Sequence, residues 1–395
     1  MKVLFTHQLG SGHWHPLVPL ARTLEAAGHE VAFASLPGVG PTIESNDFRF
    51  FPVGRDDSAE EVQQRKKRET TLSAEEQADF TQKHVFAGIR AERSLPDLLK
   101  VITSWHPNLM ISENTEYAGC IAAECAGIPH ATVQITAFRP HVIELVAAPL
   151  DKLRASVGLP TSHPSEFLFR YLLLTPRPPI LRNPDAPMPP TTHAFRYVGF
   201  NQSGEERLPD WVAHLGQRPT VFASLGTVFN HLTRILSSIL EGLRDEPINL
   251  ILAVGRNTDP LTFGEQPPNV HIERYIPQSL LLPYCDLVVT QGGSGTTMDA
   301  LSHGLPMVMI PIAADQPQNA RRCTELGIAR MIEPGQQVGL AETIRDAVRE
   351  VLSDPHYKQN AQNLQKEIEG LPGLEYPVAL LERLAVERLP IVSRS

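Results

Sequence analysis

The sequence predicts an α/β protein built from two doubly wound parallel-sheet domains. Three observations lead to this fold class. The chain has 395 residues, which suits two domains of ordinary size. Short apolar strands alternate with amphipathic helices in both halves, and a proline-rich stretch separates the halves. Such alternation is typical of parallel sheets that are covered by helices on both faces.

The first 35 residues show the pattern most clearly. An apolar strand at residues 3–5 leads through a glycine-rich turn into a helix. The apolar residues of that helix recur at i, i+3, i+4 and i+7, which predicts one buried face: Leu17, Leu20, Ala21 and Leu24. Gly28 suits a left-handed helix end, and a second strand follows at residues 29–34. A right-handed crossover then makes the two strands parallel.

The same βα unit recurs along the chain. Further strands are predicted at residues 108–111, 131–135, 220–224, 286–290, 307–310 and 329–332. Helices are predicted at residues 116–126, 296–303 and 316–325. In addition, Ser73 and Glu76 form a capping-box pattern that opens a long helix.

Prolines mark the domain boundary. They are 35 of 395 residues, and nine of them lie between residues 176 and 219, where they disfavour helix interiors and central strands. We therefore predict an N-terminal domain at 1–200, a linker at 201–218 and a C-terminal domain at 219–375. An amphipathic helix at 376–395 is expected to return to the first domain.

Composition excludes several classes of protein. The hydrophobic share of 42% and the charged share of 20% exclude extensive disorder. A net charge of −9 argues against nucleic acid or an anionic membrane as the main partner. No apolar run is long enough to span a bilayer, and the four cysteines have no CxxC spacing. We expect reduced thiols and a cytoplasmic location.

The glycine-rich segment at residues 290–297, TQGGSGTT, follows a strand and opens a helix. Unpaired N–H groups and the positive end of the helix dipole favour a phosphate there, although a turn without a ligand is the alternative. The segment fits neither the GxGxxG nor the GxxxxGK[ST] pattern, which disfavours hydride transfer and ATP hydrolysis. Asp299 lies one turn further along the helix. Asp315 and Gln316 follow the next strand and offer groups that suit a ligand rich in hydroxyls.

Several of these segments together resemble family 1 glycosyltransferases. The resemblance is strongest from Tyr275-Ile-Pro-Gln through GGSGTTMDALSHGLP to PIAADQPQNA, and it includes the opening GSGHWHPLVPLARTLEAAGHEV and the stretch LPDWVAHLGQRPTVFASLGTVF. The chain is similar to the bacterial branch that glycosylates macrolides, enediynes and aromatic polyketides. The resemblance implies the GT-B fold, in which two Rossmann-like domains face each other across a cleft. The acceptor would bind the first domain and the sugar nucleotide the second.

The resemblance also implies a donor site in the second domain. Its residues are Ser224, Thr227, Tyr275, Ile276, Gln278, Gln291, Gly293, Ser294, Gly295, Thr296, Asp299, Asp315 and Gln316. In such enzymes the residue at Tyr275 stacks on the base, the backbone of Ile276 reads the base edge, and the residue at Asp299 binds the ribose.

The remaining donor residues are implied to hold the phosphates and the transferred sugar. Ser294, Gly295 and Thr296 would bind the phosphates with Ser224 or Thr227, and Asp315 and Gln316 would bind the sugar hydroxyls. One departure stands out. The family usually has a phosphate-binding histidine where this chain has Gln291, whose amide can donate a hydrogen bond but carries no charge.

His13 is the candidate catalytic base. It lies in a glycine-rich turn between the first strand and the first helix, and an unperturbed imidazole titrates near the working pH. The Gly12-His13-x-x-Pro16 arrangement matches the base of the family. Alignment of the strand that ends near residue 112 places Glu113 where the family has an aspartate, and this carboxylate would orient the imidazole.

Other histidines and aromatic residues have weaker claims. His13-x-His15 also resembles the metal-binding pair of amidohydrolase barrels, but about eight βα units would then be required. His106 and His130 are predicted to be hydrogen-bonded structural histidines. Phe80, Phe86 and Ile89 have helical spacing that suits either core packing or acceptor contact.

The combined prediction is an inverting, metal-independent glycosyltransferase without a cofactor. It would move a sugar from a UDP- or dTDP-sugar to a hydroxyl of a hydrophobic or aromatic small molecule. The alternatives are a catalytically silent partner of another transferase and a sugar-nucleotide epimerase of similar fold. A homodimer is compatible with the sequence, whereas the sugar, the acceptor and the attacked atom do not follow from it.

Overall fold

The computed structural model describes residues 1–200, 206–227, 229–230, 232–256, 258–333 and 338–393. The chain forms two compact units. The first comprises Met1–Phe200 with Leu371–Ser395, and the second comprises Asn201–Gly370. Residues 201–205 of the predicted linker lie outside the described residues.

The described part of the first unit contains a seven-stranded sheet in which every neighbouring pair of strands is parallel. Its strands are β1 (Lys2–Thr6), β2 (Glu30–Ser35), β3 (Arg49–Pro52), β4 (Leu109–Glu113), β5 (His130–Val133), β6 (Leu173–Thr175) and β7 (Thr192–Ala194). The strand order is β3-β2-β1-β4-β5-β6-β7. This order confirms the predicted doubly wound sheet.

Helices cover both faces of this sheet. They are α1 (Ser11–Trp14), α2 (Val18–Ala26), α3 (Gly40–Glu44), α4 (Ala59–Glu69), α5 (Ala74–Phe80), α6 (Ala91–Trp105), α7 (Ala118–Ala126), α8 (Pro140–Ser156) and α9 (Pro164–Leu168). Short 3₁₀ turns lie at His15–Leu17, Pro37–Val39 and Pro179–Leu181. A π-helix at Thr81–Arg90 joins α5 to α6.

The first βαβ unit agrees with its prediction. Strand β1 is an almost fully buried run and pairs in parallel with β2, so that Phe5 lies opposite Phe33. Helix α2 buries the predicted face that includes Leu20 and Leu24. Gly28 has a φ of 84°, as the left-handed helix end requires. The predicted capping box is also present. The Ser73 hydroxyl accepts from the N–H of Glu76, and the Glu76 carboxylate accepts from the N–H of Ser73.

The described part of the second unit contains a six-stranded parallel sheet in the order β10-β9-β8-β11-β12-β13. Its strands are β8 (Thr220–Ser224), β9 (Asn249–Ala253), β10 (Val270–Glu273), β11 (Leu287–Thr290), β12 (Met307–Met309) and β13 (Ala329–Met331). Its helices are α10 (Thr233–Leu243), α11 (Gln278–Leu281), α12 (Ser294–Ser302), α13 (Gln316–Glu325), α14 (Leu340–Ser353) and α15 (Pro355–Glu369). Further 3₁₀ turns lie at Asp210–His214, Pro260–Phe263 and Leu282–Tyr284.

The last helix, α16 (Glu375–Glu387), belongs to the first unit. Its Leu381 and Leu384 join the buried cluster that contains residues of β1 and α2. The hydroxyl of Tyr376 lies 2.7 Å from Nδ1 of His193 in β7. Burial of this apolar face fixes the helix on the N-terminal sheet.

Two properties of the whole chain bear on its surroundings. In the part of the chain that the structure describes, no helix is both long and apolar enough to cross a membrane. All four cysteines are free, and Cys120, Cys285 and Cys323 are buried. Four free side chains are compatible with the expected reduced thiols.

Candidate active site

Both sheets reverse their strand order at one point, between β1 and β4 in the first unit and between β8 and β11 in the second. In open α/β sheets, ligands bind outside the carboxyl ends of the strands at such switch points. His13 follows β1 and Glu113 ends β4. Ser224 ends β8 and Gln291 follows β11. These four predicted residues thus lie at the switch points, where the fold favours a ligand.

His13 and Glu113 are in direct contact. Nδ1 of His13 lies 2.9 Å from Oε1 of Glu113. The imidazole is 22% exposed, whereas the carboxylate is fully buried. The backbone reaches this position through Gly10, whose φ of 107° is strained for any other residue, and the N–H of His13 donates to the carbonyl of Gly10.

Glu113 is held by several donors besides His13. The N–H and the hydroxyl of Thr115 lie 2.6 and 2.7 Å from its carboxylate oxygens, and the N–H of Gln8 lies 3.3 Å away. Burial alone would raise the pKa of Glu113, but His13 and the two hydrogen bonds from Thr115 bring the pKa below its usual value. A charged carboxylate facing Nδ1 makes that nitrogen the donor. Nε2 is then the basic nitrogen of the neutral ring.

His15 does not share this arrangement. Its ring packs against Trp14 and Phe200, with centroids 5.4 and 5.0 Å apart. The chain forms two open parallel sheets instead of a closed barrel, so the amidohydrolase alternative is wrong. Within the described ranges, no group of three or more His, Cys, Asp and Glu side chains could hold a metal ion.

The Gln291 side chain is enclosed by two glycine-containing turns of the second unit. Its Oε1 accepts from the hydroxyl of Thr290 at 2.9 Å. A Cβ on Gly226 would collide with its Nε2, and a Cβ on Gly293 would lie 3.0 Å from the same nitrogen. Gly226 also has a φ of 67°. The amide therefore has a defined direction, with oxygen toward Thr290 and nitrogen toward the glycines.

Asp315 links the starts of two helices. Its Oδ2 accepts from the hydroxyl of Ser294 at 2.7 Å and from Nδ2 of Asn319 at 3.2 Å. The same Nδ2 lies 2.9 Å from the carbonyl oxygen of Gly292. The glycine-rich turn is consequently braced against α13. The backbone N–H groups of Ser294, Gly295 and Thr296 occupy the first turn of α12, where intrahelical acceptors are lacking.

Gln316 and Asp299 each have polar partners within the second unit. Oε1 of Gln316 accepts from the N–H groups of Ile312 and Ala313 at 2.8 and 2.9 Å. The carboxylate of Asp299 accepts from Nε2 of Gln278 at 2.8 Å. The first contact orients Gln316 at the start of α13, and the second orients Asp299 within α12.

Tyr275 presents a partly exposed ring, while the next residue, Ile276, is buried. The tyrosine hydroxyl donates to Glu206 at 2.8 Å, and the guanidinium carbon of Arg256 lies 5.0 Å from the ring centroid.

In the turn after β8, the hydroxyl of Ser224 accepts from the N–H of Gly226 at 3.1 Å, and the carbonyl of Thr227 accepts from Nδ2 of Asn230 at 3.2 Å.

Sequence reasoning missed the side chains that support these groups. Gln8, Thr115, Thr290 and Asn319 are ordinary polar residues, and only their positions at or just beyond strand ends or in the first turn of a helix could have singled them out. The helical spacing of Phe86 suited either core packing or acceptor contact. In the structure its ring stands edge-on to the His13 ring, with centroids 5.7 Å apart.

Comparison with known proteins gives a consistent picture. The family described as erythromycin biosynthesis protein CIII-like matches with its N-terminal domain at residues 22–226 and with its C-terminal domain at residues 238–381. The chain is 32% identical to the L-demethylnoviosyl transferase of Streptomyces niveus, with 98% of each chain covered. It is 29% identical to the 10-deoxymethynolide desosaminyltransferase of Streptomyces venezuelae, again with 98% of each covered.

Solved structures agree. The crystal structure of the glycosyltransferase VinC in complex with dTDP matches with a TM-score of 0.80 and 25% identity, over 98% of this chain and 99% of VinC. The fold, the family match and the relatives agree with the resemblance in the sequence. The chain therefore belongs to the erythromycin biosynthesis protein CIII-like family and is a family 1 glycosyltransferase with the GT-B fold.

Proposed function

We propose that this glycosyltransferase is inverting and metal-independent, and that it transfers a sugar from a UDP- or dTDP-sugar to a hydroxyl of a hydrophobic or aromatic small molecule. The contact between His13 and Glu113 at the switch point of the first sheet carries the proposal. The names of the relatives support a deoxysugar donor and a natural-product acceptor of the macrolide or polyketide kind. The free cysteines suit a cytoplasmic location, which is part of the proposal.

The dyad supplies general-base catalysis. Nε2 of His13 takes the proton of the acceptor hydroxyl while the oxygen attacks C1 of the donor sugar. The C1–oxygen bond to the diphosphate breaks, and the diphosphate leaves with the bonding electron pair. Glu113 remains charged and stabilises the imidazolium that forms. A single displacement of this kind inverts the configuration at C1.

The leaving diphosphate requires stabilisation of its negative charge. We assign this to the N–H groups of Ser294, Gly295 and Thr296 at the start of α12, where the helix dipole also favours an anion. Gln291 would add one neutral donor in place of the family's histidine, with Gly293 allowing close approach. Because these donors are preorganised, neither a metal ion nor a general acid is needed to stabilise the departing group.

The remaining donor residues would recognise the nucleoside and the sugar. Tyr275 offers a ring for stacking with the base, and the backbone of Ile276 would read the base edge. Asp299, oriented by Gln278, would accept from the ribose hydroxyls. Asp315 and Gln316 would contact the transferred sugar. Ser224 or Thr227 would assist at the phosphates.

A product assay tests this function. The protein is incubated with UDP- and dTDP-sugars and with macrolactone and phenolic acceptors, in buffer with EDTA or with Mg²⁺. We expect a mass gain of one hexose or deoxyhexose, the inverted anomer by NMR, and equal rates in both buffers. A retained anomer contradicts inversion, and activity that requires Mg²⁺ contradicts metal independence.

The same assay separates the alternatives. Conversion of the sugar nucleotide without an acceptor would indicate an epimerase. A silent auxiliary protein would give no product with any donor and acceptor, although it would still support a partner transferase. The intact pair of His13 and Glu113 favours the transferase, because an auxiliary protein has no use for an oriented base.

A further inference from the structure

We propose that Arg90 is a positioning residue that holds His13 and Glu113 in their reactive arrangement through Gln8 and Phe86. The inference rests on the proposed role of His13 as the base. In the described structure, Arg90 forms no hydrogen bond or ion pair with His13 or Glu113. It instead contacts Gln8, a neighbour of Glu113, and Phe86, a neighbour of His13.

Arg90 is a largely buried cation at the end of the π-helix, with a side chain that is 11% exposed. Its Nε is buried and has no hydrogen-bond partner among the described residues. Burial lowers the pKa of this guanidinium, although Asp57 opposes the shift. A buried and incompletely paired arginine is costly to the fold. Its contacts therefore call for an explanation beyond stability.

One contact of Arg90 leads to the carboxylate. Its Nη1 donates to Oε1 of Gln8 at 3.3 Å. Nε2 of Gln8 donates in turn to the carbonyl of Thr115 at 3.1 Å, and the N–H of Gln8 faces Glu113. Thr115 is the residue whose N–H and hydroxyl both bind Glu113. Arg90 thus fixes the two segments that donate to the carboxylate.

A second contact of Arg90 leads to the imidazole. Its guanidinium carbon lies 5.4 Å from the ring centroid of Phe86, four residues earlier in the π-helix. The Phe86 ring stands at 82° to the His13 ring. A guanidinium placed over an aromatic face restrains the ring. Phe86 then restricts the rotation of the imidazole that must present Nε2 to the acceptor.

Asp57 forms an ion pair with the Arg90 guanidinium. Its carboxylate lies 3.5 Å from Nη2 of Arg90, 3.1 Å from Nη1 of Arg93 and 2.6 Å from Nη1 of Arg65. Arg93 also binds Glu61 at 2.5 Å. Arg93 therefore shares the Asp57 anchor, but no contact of Arg93 with Gln8 or Phe86 occurs among the described hydrogen bonds and ring contacts. It provides a matched control.

The test compares Arg90→Met with Arg93→Met. Both variants remove one cation from Asp57, and the methionine introduced in place of Arg90 keeps apolar cover on Phe86 but cannot hold Gln8. We expect kcat to fall about 10- to 100-fold in Arg90→Met, because a slightly misplaced base loses this much, whereas the dissociation constant of the nucleotide stays unchanged. Arg93→Met should keep kcat within about twofold of the wild type while its melting temperature falls.

Two further measurements guard against a purely structural effect. In ¹⁵N-histidine NMR, His13 should shift toward the Nε2–H tautomer in Arg90→Met and not in Arg93→Met, because a loosened Glu113 no longer selects Nδ1–H. On a His13→Ala background, Arg90→Met should lower kcat no further. If Arg90→Met fails to fold, Arg90→Lys keeps a charge beside Asp57 but lacks the planar fork, and the same comparisons apply.

The outcomes separate the two proposals. Equal losses of kcat in the Arg90 and Arg93 variants, or an unchanged tautomer in Arg90→Met, overturn the positioning role and leave the function of His13 intact. Near-normal turnover in His13→Ala overturns the proposed function, and the positioning role with it. A selective loss in Arg90→Met that disappears on the His13→Ala background supports both.

Discussion

Individual buried residues in the first unit differ in how their polar atoms are satisfied. Glu113 is buried with donors on both oxygens, and it stays charged. His130 at the start of β5 is equally buried, but neither ring nitrogen has a hydrogen-bond partner among the described residues. The expectation of a hydrogen-bonded structural histidine was therefore wrong at this position. Burial lowers the pKa of His130 to about 3 and that of His7 to about 4.

These shifts predict how stability depends on pH. In the unfolded chain a histidine titrates near 6.5, so below that pH the unfolded state binds a proton that folded His130 refuses. The part of the free energy of unfolding that depends on neutral His130 is therefore fully present above pH 6.5, and it is lost as the pH falls toward 3. Acidification from pH 7 to pH 5 should lower the free energy of unfolding of both proteins. We expect this decrease to be about 1–2 kcal/mol smaller in His130→Phe than in the wild type.

Urea unfolding at the two pH values measures this difference. His106→Asn is the control, since His106 is exposed and its left-handed backbone conformation suits asparagine. The control should follow the wild type. If His130→Phe loses as much stability on acidification as the wild type does, the cost of burying this imidazole has been misassigned.

At the scale of elements, the turns after β8 and β11 form one unit around the Gln291 amide. Gly226 contributes both a positive φ and the space that the amide nitrogen occupies. The turn after β11 supplies the first N–H groups of α12, and Asn319 in α13 braces it through the Gly292 carbonyl. The direction of the amide is thus set by backbone geometry on both sides.

Gly226→Ala is predicted to disturb stability and donor binding together. The new Cβ would collide with Nε2 of Gln291 and require a strained φ, which costs about 1–3 kcal/mol. The displaced amide should weaken UDP or dTDP binding about tenfold. Thermal unfolding and calorimetric titration measure the two effects. Gly216→Ala is the control, because nothing lies within 4 Å of the position that its Cβ would take and its φ is outside the left-handed region. If Gly226→Ala has the same melting temperature and the same nucleotide affinity as this control, the account is contradicted.

At the scale of the whole molecule, the sequence predicted four adjacent strands of each sheet, because buried parallel strands are continuous apolar runs. Strand β8 and helix α13 have the predicted bounds, and most of the other predicted strands and helices shift by one or two residues. Strands β3, β6, β7, β9 and β10 were missed, and of these β7 (Thr192–Ala194) lies in the proline-rich stretch. An edge position tolerates flanking prolines, because only one side of the strand requires a ladder of hydrogen bonds.

The site was less predictable from the sequence than the fold. The resemblance named His13 and Glu113, and the structure brings them within hydrogen-bond distance. Their supporting residues were not predictable, because Gln8, Thr115 and Arg90 meet only through contacts between segments far apart in the chain. The π-helix was missed for a related reason. Its apolar spacing also fits an ordinary α-helix, and only the backbone distinguishes the two.

The central claim is that His13 is the base that activates the acceptor. The most direct measurement is kcat of His13→Ala, together with the affinity of the variant for UDP or dTDP. We predict that kcat falls by about 10²- to 10⁴-fold, as expected for loss of a general base, while nucleotide affinity is unchanged. Turnover close to that of the wild type, with a variant that binds nucleotide normally, would contradict the account.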